Sequence, residues 1–193
     1  MATAGSMNRI PVWRHLRWAV WAGAVALLSL PAIAMWFGVD GVAWTAVDFA
    51  VMGVMLGLVC TAFEVAVRVG RSHAYVLGVG IAAAAAFLMT WANLAVGIIG
   101  NEDNPANLVF FGVLAVALLG ALWSRLAPQR MAQAMTATAV AQAMACVAAL
   151  VLDGAQVFVI TAVLMAMWLL AGHMFRVAAR KQAGLACPRD AVG

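Results

Sequence analysis

Charged side chains are scarce in this chain. Only 9% of its 193 residues are Asp, Glu, Lys or Arg, whereas 67% are hydrophobic. A soluble globular domain carries roughly 25% charged residues, so the composition excludes a domain with a fully solvated surface. The net charge of +4 is small and forms no basic patch interleaved with aromatic residues. We therefore expect no nucleic-acid partner.

Cysteine is scarce as well, because the chain has only Cys60, Cys146 and Cys187, and no two of them form a CxxC pair. This spacing predicts neither a disulfide framework nor a metal site. The sequence also lacks a nucleophile elbow, a phosphate loop and an HExxH motif. We predict no catalytic residues and no cofactor, and an enzymatic role is the less favoured interpretation.

Long apolar runs are what the sequence does contain, and its mean hydropathy is +1.03. A bilayer is crossed by about 20 consecutive apolar residues in a helix. The runs predict an all-α polytopic membrane protein, a compact bundle of six transmembrane helices. The predicted spans are Leu16–Gly38, Trp44–Val67, Ala74–Gly100, Pro105–Leu126, Met131–Leu152 and Ala155–Phe175. All connections are short, which predicts an N-terminal tail at 1–13, one transmembrane domain at 14–181 and a C-terminal tail at 182–193.

The few charges alternate in sign from one connection to the next. The first, third and fifth connections carry the acidic residues Asp40, Glu102, Asp103 and Asp153. The ends of the chain and the other connections carry Arg9, Arg14, Arg17, Arg68, Arg71, Arg125, Arg130, Arg176, Arg180 and Lys181. Cytoplasmic loops are enriched in Lys and Arg. This pattern predicts that both termini lie in the cytoplasm.

The first apolar run has a second interpretation. The basic residues before it and the Ala32-Ile33-Ala34 segment after its core are also typical of a cleaved signal peptide. The run continues through Phe37, however, and is long enough to span a membrane. We favour a retained helix that tolerates Pro31, and processing of residues 1–34 stays open.

Each even-numbered span begins with a capping residue and a polar residue three positions later, which suggests three helical-hairpin repeats. The pairs are Thr45 with Asp48, Asn104 with Asn107, and Asp153 with Gln156. Gly53 and Gly57 form a small-residue pair on the second span, and the third and fifth spans are rich in alanine. Small residues let membrane helices approach closely, so we expect the third and fifth helices to be central.

Three polar residues inside spans are candidates for a transport path: Asp48, Glu64 and Asn93. Ionisable groups in membrane helices are by default functional candidates. Each carboxylate also has a structural interpretation, because Asp48 can cap its helix and Glu64 lies four residues before Arg68. Asn93 is expected about two turns inside the third span, where its amide requires a partner from another helix. We expect Asp48 and Asn93 to face one another across a small polar cavity.

The connection after the third span concentrates polar residues, namely Asn101, Glu102, Asp103, Asn104 and Asn107. The favoured interpretation is a tight turn, with Asn104 as N-cap, Pro105 at the first helical position and Asn107 reaching back. The alternative is a solute mouth, that is, an entrance for a cation or solute at this connection.

His73 and His173 are weaker candidates for haem ligands, since a b-type haem needs two facing histidines at matching depth.

Three segments carry a resemblance to known proteins: Leu30–Met35, Val42–Phe49 and especially Trp91–Leu108, which reads WANLAVGIIGNEDNPANL. In these segments the chain resembles a widespread family of small, uncharacterised bacterial multi-pass inner-membrane proteins. The resemblance implies a bacterial inner-membrane location and a single helical domain. It implies no particular activity.

Three classes of function stay open from the sequence. A small ion or solute transporter, or a channel-like protein, is favoured. The alternative is a non-catalytic accessory or assembly subunit of a membrane complex, and the third is a b-haem membrane redox protein. The expected partners are the lipid bilayer and either a second copy of the chain or another membrane protein.

Overall fold

The computed structural model describes residues 11–70, 72–153 and 157–186, and within these ranges the protein is helical throughout, with no strand. The helices are α1 (Pro11–Trp36), α2 (Ala46–Val69), α3 (His73–Ala95), α4 (Leu108–Ser124), α5 (Pro128–Asp153) and α6 (Phe158–Ala186). All six are long and apolar enough to cross a membrane. The predicted all-α class with six spans is therefore confirmed, and the chain is a multi-pass membrane protein.

The helices fall into two units, one of residues 1–68 and one of residues 69–193. The first unit is a hairpin of α1 and α2. Its helices are connected near the termini of the hairpin by an ion pair between Arg17 and Glu64. At its middle, the Cys60 thiol lies 3.9 Å from the Val20 carbonyl oxygen. No residue in the most apolar stretch of α1 is buried, as expected for a helix that presents its side chains to lipid.

The second unit contains the other four helices in the spatial order α3, α6, α5, α4. We call the end where α3 and α5 finish its acidic end and the opposite end its basic end. Small residues mark the tight contacts: a Cβ on Gly78 of α3 would lie 3.2 Å from Phe175 of α6, and one on Gly120 of α4 only 2.8 Å from Ala134 of α5. Close approach at such positions is the usual way in which membrane helices pack.

Within the four-helix unit, the prediction of central helices is confirmed for α5 but not for α3. α6 lies between α3 and α5, and α3 is an outer helix of the unit that barely contacts α4. The alanines Ala82–Ala86 suggested a helix packed on several sides. Small side chains also permit one very close contact, however, and α3 makes that contact with α6.

Helix α3 ends earlier than the sequence predicted. Its last residue is Ala95, whereas the predicted third span ran to Gly100. Gly97 and Gly100 both have positive φ angles, +77° and +69°, which end the helix in a turn. A Cβ on Gly97 would overlap the backbone of Asn101, so only glycine fits this turn. The segment from 96 to 104 is therefore a folded connection and not part of the span.

The chain ends differ modestly from the predicted tails. Helix α1 begins at Pro11 and α6 continues to Ala186, so helix extends past the predicted boundaries at residues 13 and 181. Helix α1 continues through Pro31, as expected for a retained helix in which proline is tolerated. The outer parts of both predicted tails, residues 1–10 and 187–193, lie outside the described residues, and so does Cys187.

Candidate functional site

Glu64 is fully engaged by arginines within the first unit. Arg17 of α1 donates to both carboxylate oxygens, through Nε at 2.6 Å and through Nη2. Arg68, one turn along α2, lies 2.7 Å from Oε1. Only 13% of the Glu64 side chain is exposed, so this carboxylate is a shielded structural anion rather than a free proton or cation ligand.

Asp48 is engaged as well, in the capping box expected at the start of α2. Its carboxylate accepts hydrogen bonds from the Thr45 backbone N–H at 2.6 Å and from the Thr45 hydroxyl at 2.8 Å. The Asp48 N–H in turn donates to the Thr45 hydroxyl at 3.3 Å. The reciprocal pattern satisfies donors at a helix start.

Asp48 is exposed on the hairpin of α1 and α2, whereas Asn93 belongs to the four-helix unit. Their expected pairing across a cavity stays a prediction.

Asn107 is the organising residue of the connection before α4. Its carbonyl oxygen accepts from the backbone N–H groups of Ile98 at 3.0 Å and Ile99 at 2.8 Å. Its NH₂ group donates to the carbonyls of Ile99 at 3.2 Å and Asn101 at 2.7 Å. The side chain thus satisfies both donors and acceptors in a buried turn, which would otherwise be costly at a membrane boundary.

Asn104 has the capping geometry that the sequence favoured. Its carbonyl oxygen accepts from the Ala106 N–H at 3.0 Å, and Pro105 opens a single 3-10 turn, Pro105–Asn107, that leads into α4. Asn101, Glu102 and Asp103 form the exposed tip of the connection. In the described ranges, neither of the two carboxylates at this tip forms an ion pair. The turn is therefore built by Asn104 and Asn107, and a solute mouth at its tip stays a prediction.

Asn93 is 3% exposed, and both polar atoms of its amide lack a hydrogen-bond partner among the described residues. It lies two residues before the end of α3, in the last turn, and not two turns inside the span as predicted, because the helix stops at Ala95. The contact between Gly78 and Phe175 sets the register of α3 against α6. Since the helices are antiparallel, Asn93 lies at about the depth of Thr161, near the acidic end.

A second unpartnered amide lies deeper in the same unit. Gln142 of α5 is 0% exposed, and neither of its amide atoms has a partner in the part of the chain that the structure describes. The indole N–H of Trp168 on α6 is also buried and unpartnered. Two contacts fix the register of these helices: Cys146 Sγ lies 3.1 Å from Thr161 Oγ1, and a Cβ on Gly172 would lie 3.5 Å from Met135. At 1.5 Å rise per residue, this register separates Gln142 and Trp168 by about 4.5 Å along the helix axes.

The polar groups of α5 form a stripe. Thr138, Gln142 and Cys146 recur every four residues, which places them on one buried face of the helix. The Thr138 hydroxyl is satisfied by the Ala134 carbonyl at 2.9 Å, and Thr161 by the Val157 carbonyl at 2.7 Å. Gln142 has no such local acceptor. With Asn93 on α3, the buried uncharged polar groups of the unit extend in depth from near its acidic end to its middle.

The sequence contained a signal for this stripe that our sequence interpretation did not use. Gln142 is an amide in the middle of an apolar span, and burying an unpartnered amide costs several kcal/mol. The same argument applies to Asn93. Within the described residues, Asp48 and Glu64 have hydrogen-bond or ion-pair partners, whereas the amides of Asn93 and Gln142 have none.

The histidines do not form a pair at one depth. His73 opens α3 and His173 lies on α6, both at exposed positions of the four-helix unit. With Gly78 opposite Phe175, His73 lies opposite residue 180, about 10 Å along the axis from His173. Among the described residues, no group of three or more His, Cys, Asp or Glu side chains could hold a metal ion.

These features define a multi-pass helical membrane protein with several buried, uncharged polar groups in its four-helix unit. Comparison with protein-family models, curated proteins and solved structures gives no match for the chain. The resemblance of the Trp91–Leu108 segment to small bacterial inner-membrane proteins therefore stays a prediction.

Proposed function

We propose that the protein is a small transporter or channel-like protein of the bacterial cytoplasmic membrane, with both termini in the cytoplasm. Its cargo is a small, uncharged, hydrogen-bonding solute, and the path follows the polar stripe of α5 against α6. The alternation of charged connections supports the orientation, because basic residues mark cytoplasmic loops.

Gln142 is the observation that carries the proposal. Its amide has two donors and two acceptor lone pairs, is 0% exposed and has no partner within residues 11–70, 72–153 and 157–186. An unpaired buried amide costs several kcal/mol, and lipid offers no compensation. A water molecule or a polar solute bound between α5 and α6 would supply the missing hydrogen bonds. Trp168 lies within one turn of this depth and offers a further donor.

The state of the carboxylates favours a neutral solute over a cation. Asp48 is bound to Thr45, and Glu64 is bound to two arginines. A cation inside a membrane is stabilised by a carboxylate or by converging carbonyl groups. The stripe consists of an amide, a hydroxyl and a thiol, which hydrogen-bond to neutral molecules and carry no charge.

Osmotic swelling of proteoliposomes tests this function. Purified protein in vesicles should accelerate entry of a neutral solute from a panel that includes urea, glycerol and small amides, as recorded by light scattering. Gln142→Leu should abolish the acceleration, since leucine fills a similar volume without hydrogen-bonding groups. The matched control Asp48→Asn should retain it, because asparagine also caps helices.

If both variants unfold at the wild-type temperature, the lost flux in Gln142→Leu is a loss of transport and not of folding. Equal flux through the wild-type protein and Gln142→Leu would contradict the proposed path. A cation flux through the wild-type protein that is lost in Asp48→Asn would contradict the neutral cargo. It would identify Asp48 as the residue on which transport depends.

A non-catalytic accessory subunit is the second candidate, and the glycine face of α2 favours it. A Cβ on Gly57 would meet no atom within 4 Å, and one on Gly53 would meet only Leu28, at 3.8 Å, among the described residues. Small residues of this kind are where a partner helix packs closely. Co-purification from native membranes with a defined second protein, lost in Gly57→Leu, would support this role over transport.

A further inference from the structure

A groove with two arginines runs along the α5–α6 pair at the basic end of the four-helix unit. Its volume is about 420 Å³. The polar part is lined by Arg176, Arg180, Gln129, Gln133 and Thr136. This groove lies on a different part of α5 from the buried stripe, and the inference below does not depend on the proposed solute path.

Arg176 is held in the groove by a hydrogen bond. Its Nη2 donates to the Thr136 hydroxyl oxygen at 2.7 Å, and that hydroxyl donates to the Ala132 carbonyl at 2.9 Å. The register of α5 and α6 places Thr136 deeper in the membrane than Arg176, so the guanidinium is directed inward along the groove. One bond to Thr136 leaves most of the five guanidinium donors available.

The positive charge of the groove is not neutralised by the protein. Arg180 follows Arg176 by one turn of α6, and both are exposed. Within the part of the chain that the structure describes, neither arginine forms an ion pair with a carboxylate. Two guanidinium groups one turn apart match the oxygens of a phosphate group, which arginine binds in bidentate fashion.

The polarity of the groove changes along α5. Gln129, Gln133 and Thr136 line the end near the basic boundary, whereas Ala137 and Val140 line the deeper end. A free phosphate ion would use only the polar end. A phospholipid uses both, because its headgroup stays at the boundary and its acyl chain extends toward the middle of the bilayer.

We propose that this groove is a binding site for an anionic phospholipid, with the headgroup phosphate at Arg176 and Arg180 and an acyl chain along Ala137 and Val140. The test compares phosphatidylglycerol, phosphatidylcholine and inorganic phosphate as additives to the detergent-purified protein. Native mass spectrometry measures retained lipid, and thermal unfolding measures the resulting stabilisation.

The wild-type protein should retain phosphatidylglycerol in preference to phosphatidylcholine, and inorganic phosphate should not displace it. Arg176→Gln combined with Arg180→Gln should weaken phosphatidylglycerol binding about tenfold or more, since hydrogen bonds to charged groups are the strong ones. Arg130→Gln is the matched control, because Arg130 is an exposed arginine of the same end that does not line the groove. It should leave binding unchanged.

If the double variant does not fold, lipid binding is measured on Arg180→Gln alone. This single change leaves the hydrogen bond between Arg176 and Thr136 intact. It should also weaken phosphatidylglycerol binding. Equal retention of both lipids, displacement by inorganic phosphate, or unchanged binding in Arg180→Gln would each overturn the proposal.

Discussion

Asn107 pairs with Ile99 through both backbone groups of that residue: its carbonyl oxygen accepts the Ile99 N–H at 2.8 Å, and its NH₂ donates to the Ile99 carbonyl at 3.2 Å. An asparagine side chain thereby replaces the backbone partner that a strand would provide. These bonds, with those to Ile98 and Asn101, hold the connection between α3 and α4 in its folded form.

Asn107→Ala should therefore destabilise the protein more than Asn104→Ala. The first change leaves several buried backbone groups unpaired, at roughly 2–3 kcal/mol, whereas loss of a cap costs about 1 kcal/mol. Thermal unfolding in detergent checks the order. Asn101→Ala is the control, because that side chain is exposed and only its backbone carbonyl contacts Asn107. A smaller effect for Asn107→Ala than for Asn104→Ala would contradict this account of the turn.

The two glycines of α4 should respond differently to alanine. A Cβ on Gly120 would lie 2.8 Å from the Ala134 Cβ, whereas one on Gly112 would meet no atom within 4 Å among the described residues. Gly120→Ala should cost about 1–3 kcal/mol through overpacking. Gly112→Ala should be neutral or stabilising by about 0.5–1 kcal/mol, since alanine favours the helix. Similar unfolding temperatures for the two variants would show that α4 and α5 are not in close contact.

Glu64→Gln should destabilise the hairpin of α1 and α2. The change leaves Arg17, whose side chain is 27% exposed, without its anionic partner. We expect a loss of roughly 1.5–3 kcal/mol, the range for hydrogen bonds to charged groups. Arg68→Gln is the control and should cost less, because that side chain is 63% exposed. Lost solute flux with unchanged stability in Glu64→Gln would instead identify Glu64 as part of a path.

Hydropathy predicted the six helices well, because a run of about 20 apolar residues strongly indicates a membrane-spanning helix. The end of α3 was predicted five residues too late. The segment after Ala95 is apolar enough to look like helix, and the positive φ of Gly97 and Gly100 has no hydropathy signature. Only the long-range bonds of Asn107 explain how that turn is stabilised.

The candidate site was predictable only in part. The local roles of Asp48 and Glu64 follow from spacing, since Thr45 and Arg68 lie three and four residues away. Arg17, the second partner of Glu64, is 47 residues distant, and no local pattern points to it. The proximity of Gln142 and Trp168 likewise depends on the α5–α6 register. That register is set by close contacts at positions such as Gly172, which composition alone does not identify.

The orientation is open to a direct test. Reporter fusions after Gly38, Gly100 and Gly154 should read periplasmic, and fusions after Arg71 and Gln129 should read cytoplasmic, because the proposed orientation places the basic connections in the cytoplasm. The reversed pattern would contradict the orientation. A mature protein whose N-terminal residue follows Ala34 would support the signal-peptide interpretation of residues 1–34.

The central claim is that a polar solute or water reaches Gln142 between α5 and α6. The most direct measurement is the labelling rate of Gln142→Cys by a small, uncharged thiosulfonate in membrane vesicles, with the native cysteines Cys60, Cys146 and Cys187 replaced by alanine. Met144→Cys is the matched control at nearly the same depth, since Met144 lies two residues from Gln142 and is 70% exposed on the surface of α5.

Thiosulfonates react with the thiolate, which forms readily only where water reaches the sulfur. The account predicts that Gln142→Cys is labelled several-fold faster than Met144→Cys. Labelling of Gln142→Cys as slow as that of Met144→Cys would contradict the account, because it would show that water does not reach position 142.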